Sequence, residues 1–186
     1  MALRSESDGV FEEAGVPVLY CGVGKVNAAI ALTRELARYT GAGHALPVVL
    51  NFGTAGSRAH AAGTLVACRE FFQRDMDVSG LGYARGVTPF EDTPARLQFD
   101  PEFPELPAAV CGTGDSFATG AWDGDYTLVD MEAYALAKVC WSEHARFGCV
   151  KYVSDGADHA AADDWSNNVH KAALEFLVLY RRIATP

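Results

Sequence analysis

Short, dense apolar runs along the chain alternate with longer segments whose apolar positions recur at helical spacing. Val16 to Cys21 is such a run, closed by Gly22, and predicts a strand. Gly22-Val23-Gly24-Lys25-Val26-Asn27 follows, and then Val26, Ile30, Thr33 and Ala37 recur at helical spacing until Gly41 supplies a C-terminal stop. Pro47 precedes Val48-Val49-Leu50-Asn51-Phe52, a run apolar enough for a buried strand, which ends at Gly53. Strand, glycine turn, helix, strand is the cadence of an α/β sheet. Further strands are predicted over residues 63–72, over Ala108 to Gly112 and over Cys149 to Ser154. The short apolar run Leu128-Val129-Asp130-Met131 leads into a helix from Glu132 to about Ser142. The acidic stretch from Asp155 to Asp164 reads as a loop. Ser166 to Ile183 reads as the last helix, with Leu174, Leu177 and Val178 as its apolar stripe and Arg181 and Arg182 complementing its C-terminal dipole. Residues 79–107 hold several glycines and prolines and little periodicity. They predict a long loop with at most short strands, a length that usually signals a functional segment.

Several of these strands end in Gly, Ser, Thr or Asp before a turn. Ligands of open α/β sheets sit beyond the carboxyl ends of the strands. Residues 22–25, 53–56, 114–117, 131–132 and 154–155 are therefore expected to converge, although they are far apart in sequence.

Composition narrows the class of function. The 186 residues suit one domain spanning 1–186, and 49% apolar with 21% charged residues is the balance of a folded chain with a real core. Lys plus Arg number 15 against 24 for Asp plus Glu, so the net charge of −9 argues against nucleic acid and anionic membrane surfaces as partners. The N-terminus is too charged for a signal peptide, and no apolar run approaches the ~18 residues of a membrane helix. Cys21, Cys68, Cys111, Cys140 and Cys149 are odd in number and scattered, with no C-x-x-C, as expected of reduced thiols in a cytoplasmic protein. The expectation is an acidic, cytoplasmic enzyme or binding domain for a small molecule.

Familiar motifs are absent or incomplete. Gly22-Val23-Gly24-Lys25 looks like the end of a phosphate loop, but Leu19 replaces its first glycine and Val26 its Ser or Thr. A dinucleotide fingerprint would need glycine where Asn27 stands. No G-x-S-x-G elbow is present. Cys140, His144 and Cys149 lack an obvious fourth ligand, and Asp155, Asp158, Asp163 and Asp164 lack the spacing of a calcium loop. No metal and no cofactor is expected.

Six turns together, from residue 22 to 158, resemble the nucleoside phosphorylase and nucleosidase superfamily in its own order. Gly22-Val23-Gly24-Lys25-Val26-Asn27-Ala28-Ala29 resembles its glycine turn and following helix, and Asn51-Phe52-Gly53-Thr54-Ala55-Gly56 its Asn-x-Gly-Ser-Ala-Gly turn. Asp77-Val78-Ser79-Gly80-Leu81-Gly82-Tyr83 resembles the segment before its active-site loop, and Gly114-Asp115-Ser116-Phe117 its base-binding loop. Val129-Asp130-Met131-Glu132-Ala133 is similar to Val-Glu-Met-Glu-Ala, and Ser154-Asp155-Gly156-Ala157-Asp158 to Ser-Asp-x-Ala-Asp. The branch most resembled is the methylthioadenosine/S-adenosylhomocysteine nucleosidases.

The resemblance implies a three-layer α/β/α sandwich around a mixed, largely parallel sheet, and hydrolysis of an N-glycosidic bond to release adenine. It casts Asp155 as the acid that protonates the purine and Ser154 as part of the same motif. Glu132 would hold the ribose hydroxyls, and Glu6, the last acid of Ala2-Leu3-Arg4-Ser5-Glu6, would be the base for water. Met131 would pack on the ribose, Phe117 would stack on the base, and the backbone of Ala118 would read the purine edge. Thr54 and Lys151 would stand near the attacking water. By residue type alone, Asp155 also suits a helix cap or a loop, Glu6 and Glu132 a first helical turn, and Met131 and Phe117 a core. Val78, Leu81 and Tyr83 would reach the neighbouring subunit's pocket for the 5′-substituent, with Leu3 lining it too, so the resemblance implies a homodimer.

Some positions depart from that pattern. Met1-Ala2-Leu3 stand where the family's first strand ends, Asp130 replaces a glutamate, Lys151 replaces a frequent arginine, and residues 91–107 match nothing in it. The alternatives are a phosphorylase, a hydrolase of another purine nucleoside such as futalosine, and a non-catalytic nucleoside binder. A phosphorylase usually carries an arginine just before the glycine turn, where this chain has Asn51.

Overall fold

The computed structural model describes residues 1–120 and 122–184. Its strands are β1 (Val49–Ser57), β2 (Leu65–Gln73), β3 (Arg96–Gln98), β4 (Ala108–Thr113), β5 (Leu128–Asp130) and β6 (Phe147–Asp155). Its helices are α1 (Arg4–Ser7), α2 (Val10–Glu13), α3 (Lys25–Gly41), α4 (Ala133–Glu143), α5 (Ala161–Asn168) and α6 (Ala173–Ala184). The strands form one mixed sheet in the order β3-β2-β4-β5-β1-β6, and β2 also pairs with β6. The longest ladders, β1 with β6 and β2 with β4, are parallel, as is β4 with β5. The antiparallel pairings are β1 with β5, β2 with β3 and β2 with β6.

Helices cover both faces, which is why the central strands read as nearly continuous apolar runs. In β6, Phe147, Cys149 and Val153 pack with α3 and α4, while Val150 packs with Phe11 of α2 and Phe176 of α6. The three-layer arrangement expected from the sequence is the one observed. Residues 79–107 hold only a 3-10 turn at Ser79–Leu81 and the three-residue β3, also as expected.

Some elements differ from the sequence reading. Val16 to Cys21 is not a regular strand. It is held to the N-terminal residues by the Met1 amine to Leu19 O, Cys21 N–H to Met1 O and Gly22 N–H to Ala2 O. β1 continues past Gly53 to Ser57. The expected α3 stripe, Val26, Ile30, Thr33 and Ala37, faces outward, and Ala28, Leu32 and Leu36 are buried instead. Both sets have helical spacing, and Ala28 is small enough to let the helix lie close to its neighbours. In α6 the outward residues are Leu174 and Val178, while Phe176 and Leu177 are buried.

The last helix is two helices. Asn168 ends α5 because its side chain is engaged outside the helix. Its Nδ2 donates to Ser154 O at 2.7 Å, and its Oδ1 accepts from Lys171 Nζ at 2.6 Å. Asparagine competes with helical hydrogen bonding in this way. The acidic stretch is correspondingly shorter as a loop, since α5 begins at Ala161.

Candidate active site

The two groups of parallel strands meet where β1 crosses β5 antiparallel, with Gly56 opposite Val129. The carboxyl ends of β1, β5 and β6 come together there, around a cavity of about 460 Å³. That is within the range of small-molecule sites. Leu3, Glu6, Thr54, Phe117, Ala118, Met131, Glu132, Ser154 and Asp155 all line it. The three carboxylates singled out in the sequence thus share one hollow, and each is buried.

Asp155 ends β6 beside Gly56 of β1, its partner in the ladder. A Cβ on Gly56 would lie 2.6 Å from Asp155 Oδ1, so only glycine leaves room for the carboxylate. Burial raises the Asp155 pKa, and the nearby Asp164 and Asp158 push the same way. The Ser154 hydroxyl at 2.7 Å and the Ala157 N–H at 2.9 Å donate to it and partly oppose that shift. A carboxyl whose proton is retained more readily is suited to act as an acid.

Glu6 reaches over Gly53, where a Cβ would lie 2.9 Å from its Oε1. Four donors hold it. Ala2 N–H and Leu3 N–H donate to Oε2 at 2.8 and 3.1 Å, and Thr54 N–H and the Thr54 hydroxyl donate to Oε1 at 2.9 and 3.2 Å. The glycine spacing of Asn51-Phe52-Gly53-Thr54-Ala55-Gly56 is therefore the room needed by two different carboxylates.

Glu132 caps the start of α4, and the Gly24 N–H of the glycine turn donates to its Oε1 at 2.8 Å. Burial, with Asp130 next, pushes its pKa up to about 7, against the opposing pull of Lys151 and the Gly24 N–H. Asp130 lies deeper. It accepts from Thr113 Oγ1 at 2.5 Å and Ala133 N–H at 2.8 Å, and pairs with Lys151 Nζ at 2.8 Å. Burial alone would raise the Asp130 pKa, but Lys151 outweighs it and holds the carboxyl below its ordinary value.

Lys151 was expected beside the attacking water. It does not line the cavity: its side chain is almost wholly enclosed and engaged by Asp130. The two departures from the family pattern are thus each other's partners. Val78, Leu81 and Tyr83 do not line the cavity of their own chain, and Leu81 is 71% exposed. Asp115 faces the glycine turn rather than the cavity. It accepts from Lys25 N–H at 2.8 Å, its own N–H donates to Asp75 Oδ2 at 2.9 Å, and Lys25 Nζ pairs with Asp75 at 2.5 Å. The lysine of the false phosphate loop therefore ties the start of α3 to the loop that carries Phe117.

Sequence reasoning missed Arg74 and Trp165, which also line the cavity. Arg74 follows the end of β2, so the rule of strand carboxyl ends could have found it. Its guanidinium is held by Ser116 Oγ, Ser116 O and Gly114 O. Trp165 lies in α5, between the stretch read as a loop and the helix expected from Ser166, and only its aromatic character could have flagged it. Among the described residues no group of three or more His, Cys, Asp and Glu side chains is placed to hold a metal ion.

No protein-family model matches the chain. The 5′-methylthioadenosine/S-adenosylhomocysteine nucleosidase of Anoxybacillus flavithermus is 33% identical over 189 residues, covering 89% of this chain and 78% of that protein. The chain belongs to this nucleosidase family. The nucleosidase of Haemophilus influenzae is 31% identical, covering 90% of this chain and 80% of its own. The fold is similar to that of the Helicobacter pylori nucleosidase, with a TM-score of 0.83 at 19% identity over 97% of this chain and 94% of that one. The futalosine hydrolase of the same organism gives a TM-score of 0.80 at 20% identity, over 96% and 93%.

Proposed function

We propose that this member of the nucleosidase family hydrolyses the N-glycosidic bond of 5′-methylthioadenosine, S-adenosylhomocysteine or a close 5′-thio analogue. Asp155 acts as acid, Glu6 as base and Glu132 as the ribose anchor. The observation that carries the reading is the convergence of these three buried carboxylates on one cavity. The chemistry needs all three. Adenine leaving as an anion is poor, so a proton delivered to the purine nitrogen eases departure. The C1′–N9 electron pair goes to the base, C1′ gains oxocarbenium character, and negative charge beside it stabilises that cation. Water adds to C1′, and its proton passes to Glu6. Phe117 is 46% exposed at the cavity edge, a position open to stacking on the purine. Met131 lines the ribose side, and Ala118 offers its backbone to the purine edge.

Hydrolysis is favoured over phosphorolysis by the cations of the site. Among the described residues Arg74 is the one arginine or lysine lining the cavity, and its guanidinium is occupied by the base loop. Lys151 is committed to Asp130.

The active form in this reading is a homodimer in a reducing compartment such as the cytoplasm, where the five free, buried cysteines remain thiols. Val26 and Ile30 form an exposed apolar pair one turn apart on α3, and Leu81 and Phe90 of the long loop are 71% and 94% exposed. Such side chains suit an interface. Val78, Leu81 and Tyr83 of a second copy would then complete the wall for the 5′-substituent, opposite Leu3.

The test is adenine release by single variants. Asp155→Asn and Glu6→Gln are each expected to lower kcat by roughly 10²–10⁴-fold, with circular dichroism unchanged. Wild-type turnover in Asp155→Asn would remove Asp155 from the acid's role.

A further inference from the structure

We propose that Trp165 is a positioning residue that acts on Glu6 through the hydroxyl of Thr54. The inference rests on Glu6 being the base, and goes beyond it by naming what orients that base. Indole Nε1–H can only donate, a hydroxyl both donates and accepts, and an ionised carboxylate only accepts. Trp165 Nε1–H donates to Thr54 Oγ1 at 3.1 Å, and Thr54 Oγ1 lies 3.2 Å from Glu6 Oε1. The direction of this chain is therefore set. The indole fills an acceptor position on the Thr54 oxygen, and the hydroxyl proton is left for Glu6.

The other three donors to Glu6 are backbone N–H groups, from Ala2, Leu3 and Thr54. They are fixed by the chain. The Thr54 hydroxyl is the one donor of the four that can rotate, and Trp165 is what holds it. A donor that is itself hydrogen-bonded is also polarised and strengthened. Before water attacks, the relay keeps an ionised Glu6 carboxylate in one orientation. When Glu6 takes the proton of the water, its oxygen turns from acceptor to donor, and a rotating hydroxyl can yield where a backbone N–H cannot.

The placement of Trp165 couples the two ends of the reaction. The same helix, α5, carries Asn168, whose Nδ2 donates to Ser154 O immediately before Asp155. One short helix thus locates the hydroxyl that steadies Glu6 and the strand end that carries Asp155. A phenylalanine at position 165 would fill much of the same space but break the relay.

The experiment is a double-mutant cycle on methylthioadenosine hydrolysis with Trp165→Phe, Thr54→Val and the pair. Trp165→Phe is expected to lower kcat about three- to tenfold, the worth of one ordinary hydrogen bond, with KM within about twofold of wild type. The double variant is expected to be no slower than Thr54→Val alone, because both remove the same chain. Thr54→Ser, which keeps the hydroxyl, should retain most of the rate and remain sensitive to Trp165→Phe. Multiplicative effects on kcat, or a Trp165→Phe effect confined to KM, would make Trp165 only a wall of the cavity and overturn the proposal. If Thr54→Val does not fold, Thr54→Ala removes the same hydroxyl and the cycle is read with it. Glu6→Gln is measured alongside. Wild-type turnover there would sink the base assignment itself, whereas an inactive Glu6→Gln with a multiplicative cycle would sink the relay alone.

Discussion

Asp155 and Glu132 are both buried carboxyls pushed toward the protonated form, and the residues around them divide their tasks. Asp155 keeps two protein donors and lies against Gly56, with no cation among the causes of its shift. Glu132 shares its surroundings with the Asp130–Lys151 pair, and its pKa rises to about 7 because burial dominates. That has a consequence for stability. A carboxyl whose folded pKa is raised favours the fold fully below its unfolded pKa, 4.5 here, and loses that contribution as pH rises through about 7. Glu132→Gln is therefore expected to raise the melting temperature relative to wild type, by a margin that grows between pH 4.5 and 7 and then levels. At pH 8 the gain should be on the order of a few kcal/mol in unfolding free energy, alongside lost ribose binding. Thermal melts at pH 5 and pH 8 check it, and a pH-independent difference would contradict it. At this scale much of the site was legible. Glycine spacing, Met131-Glu132 and Ser154-Asp155 pointed to one place because strand ends converge. Lys151 was misplaced because a sequence does not tell a lysine at the cavity from one a side chain's length beneath it. Buried there, Lys151 pairs with Asp130 at 2.8 Å.

Among the elements, α3 and α5 carry the main differences from the sequence reading. α3 has two apolar stripes at helical spacing, and periodicity alone cannot choose between them. The stripe led by Ala28 faces the core, which leaves Val26 and Ile30 exposed. With Leu81 and Phe90, which are exposed as well, they are the apolar side chains that the proposed dimer would cover. Ile30→Asp is expected to shift the protein from dimer to monomer in sedimentation velocity and to raise KM for 5′-alkylthio substrates, whose pocket would lose the second copy's loop. An unchanged sedimentation coefficient at that variant would place the interface elsewhere. The start of α5 was hidden in the sequence because the acids from Asp155 to Asp164 read as a solvated loop, whereas residues 166–168 already fell in the expected last helix. Tertiary contacts, Trp165 to Thr54 and Asn168 to Ser154, between residues 111 and 14 positions apart, tie α5 to β1 and β6.

For the whole molecule, the sheet explains why a small acidic chain can assemble a site from residues at its start, middle and end. β1 and β6 run together, β2, β4 and β5 run the other way, and the carboxyl ends of β1, β5 and β6 meet where the groups cross. Helices on both faces bury the remaining strand surface, so the polar groups concentrate at that meeting point. The strand cadence made the α/β class readable, but the antiparallel crossing of β1 and β5 was not, because each strand is equally apolar in either direction. In the proposed reaction water, without phosphate, displaces adenine at this crossing. The direct measurement is incubation with 5′-methylthioadenosine in phosphate-free buffer, with adenine and the sugar product quantified. Equal amounts of adenine and free methylthioribose are expected, unchanged by added phosphate and absent with Asp155→Asn. Adenine that forms only with phosphate, accompanied by the sugar 1-phosphate, or tight binding with no release at all, would contradict it.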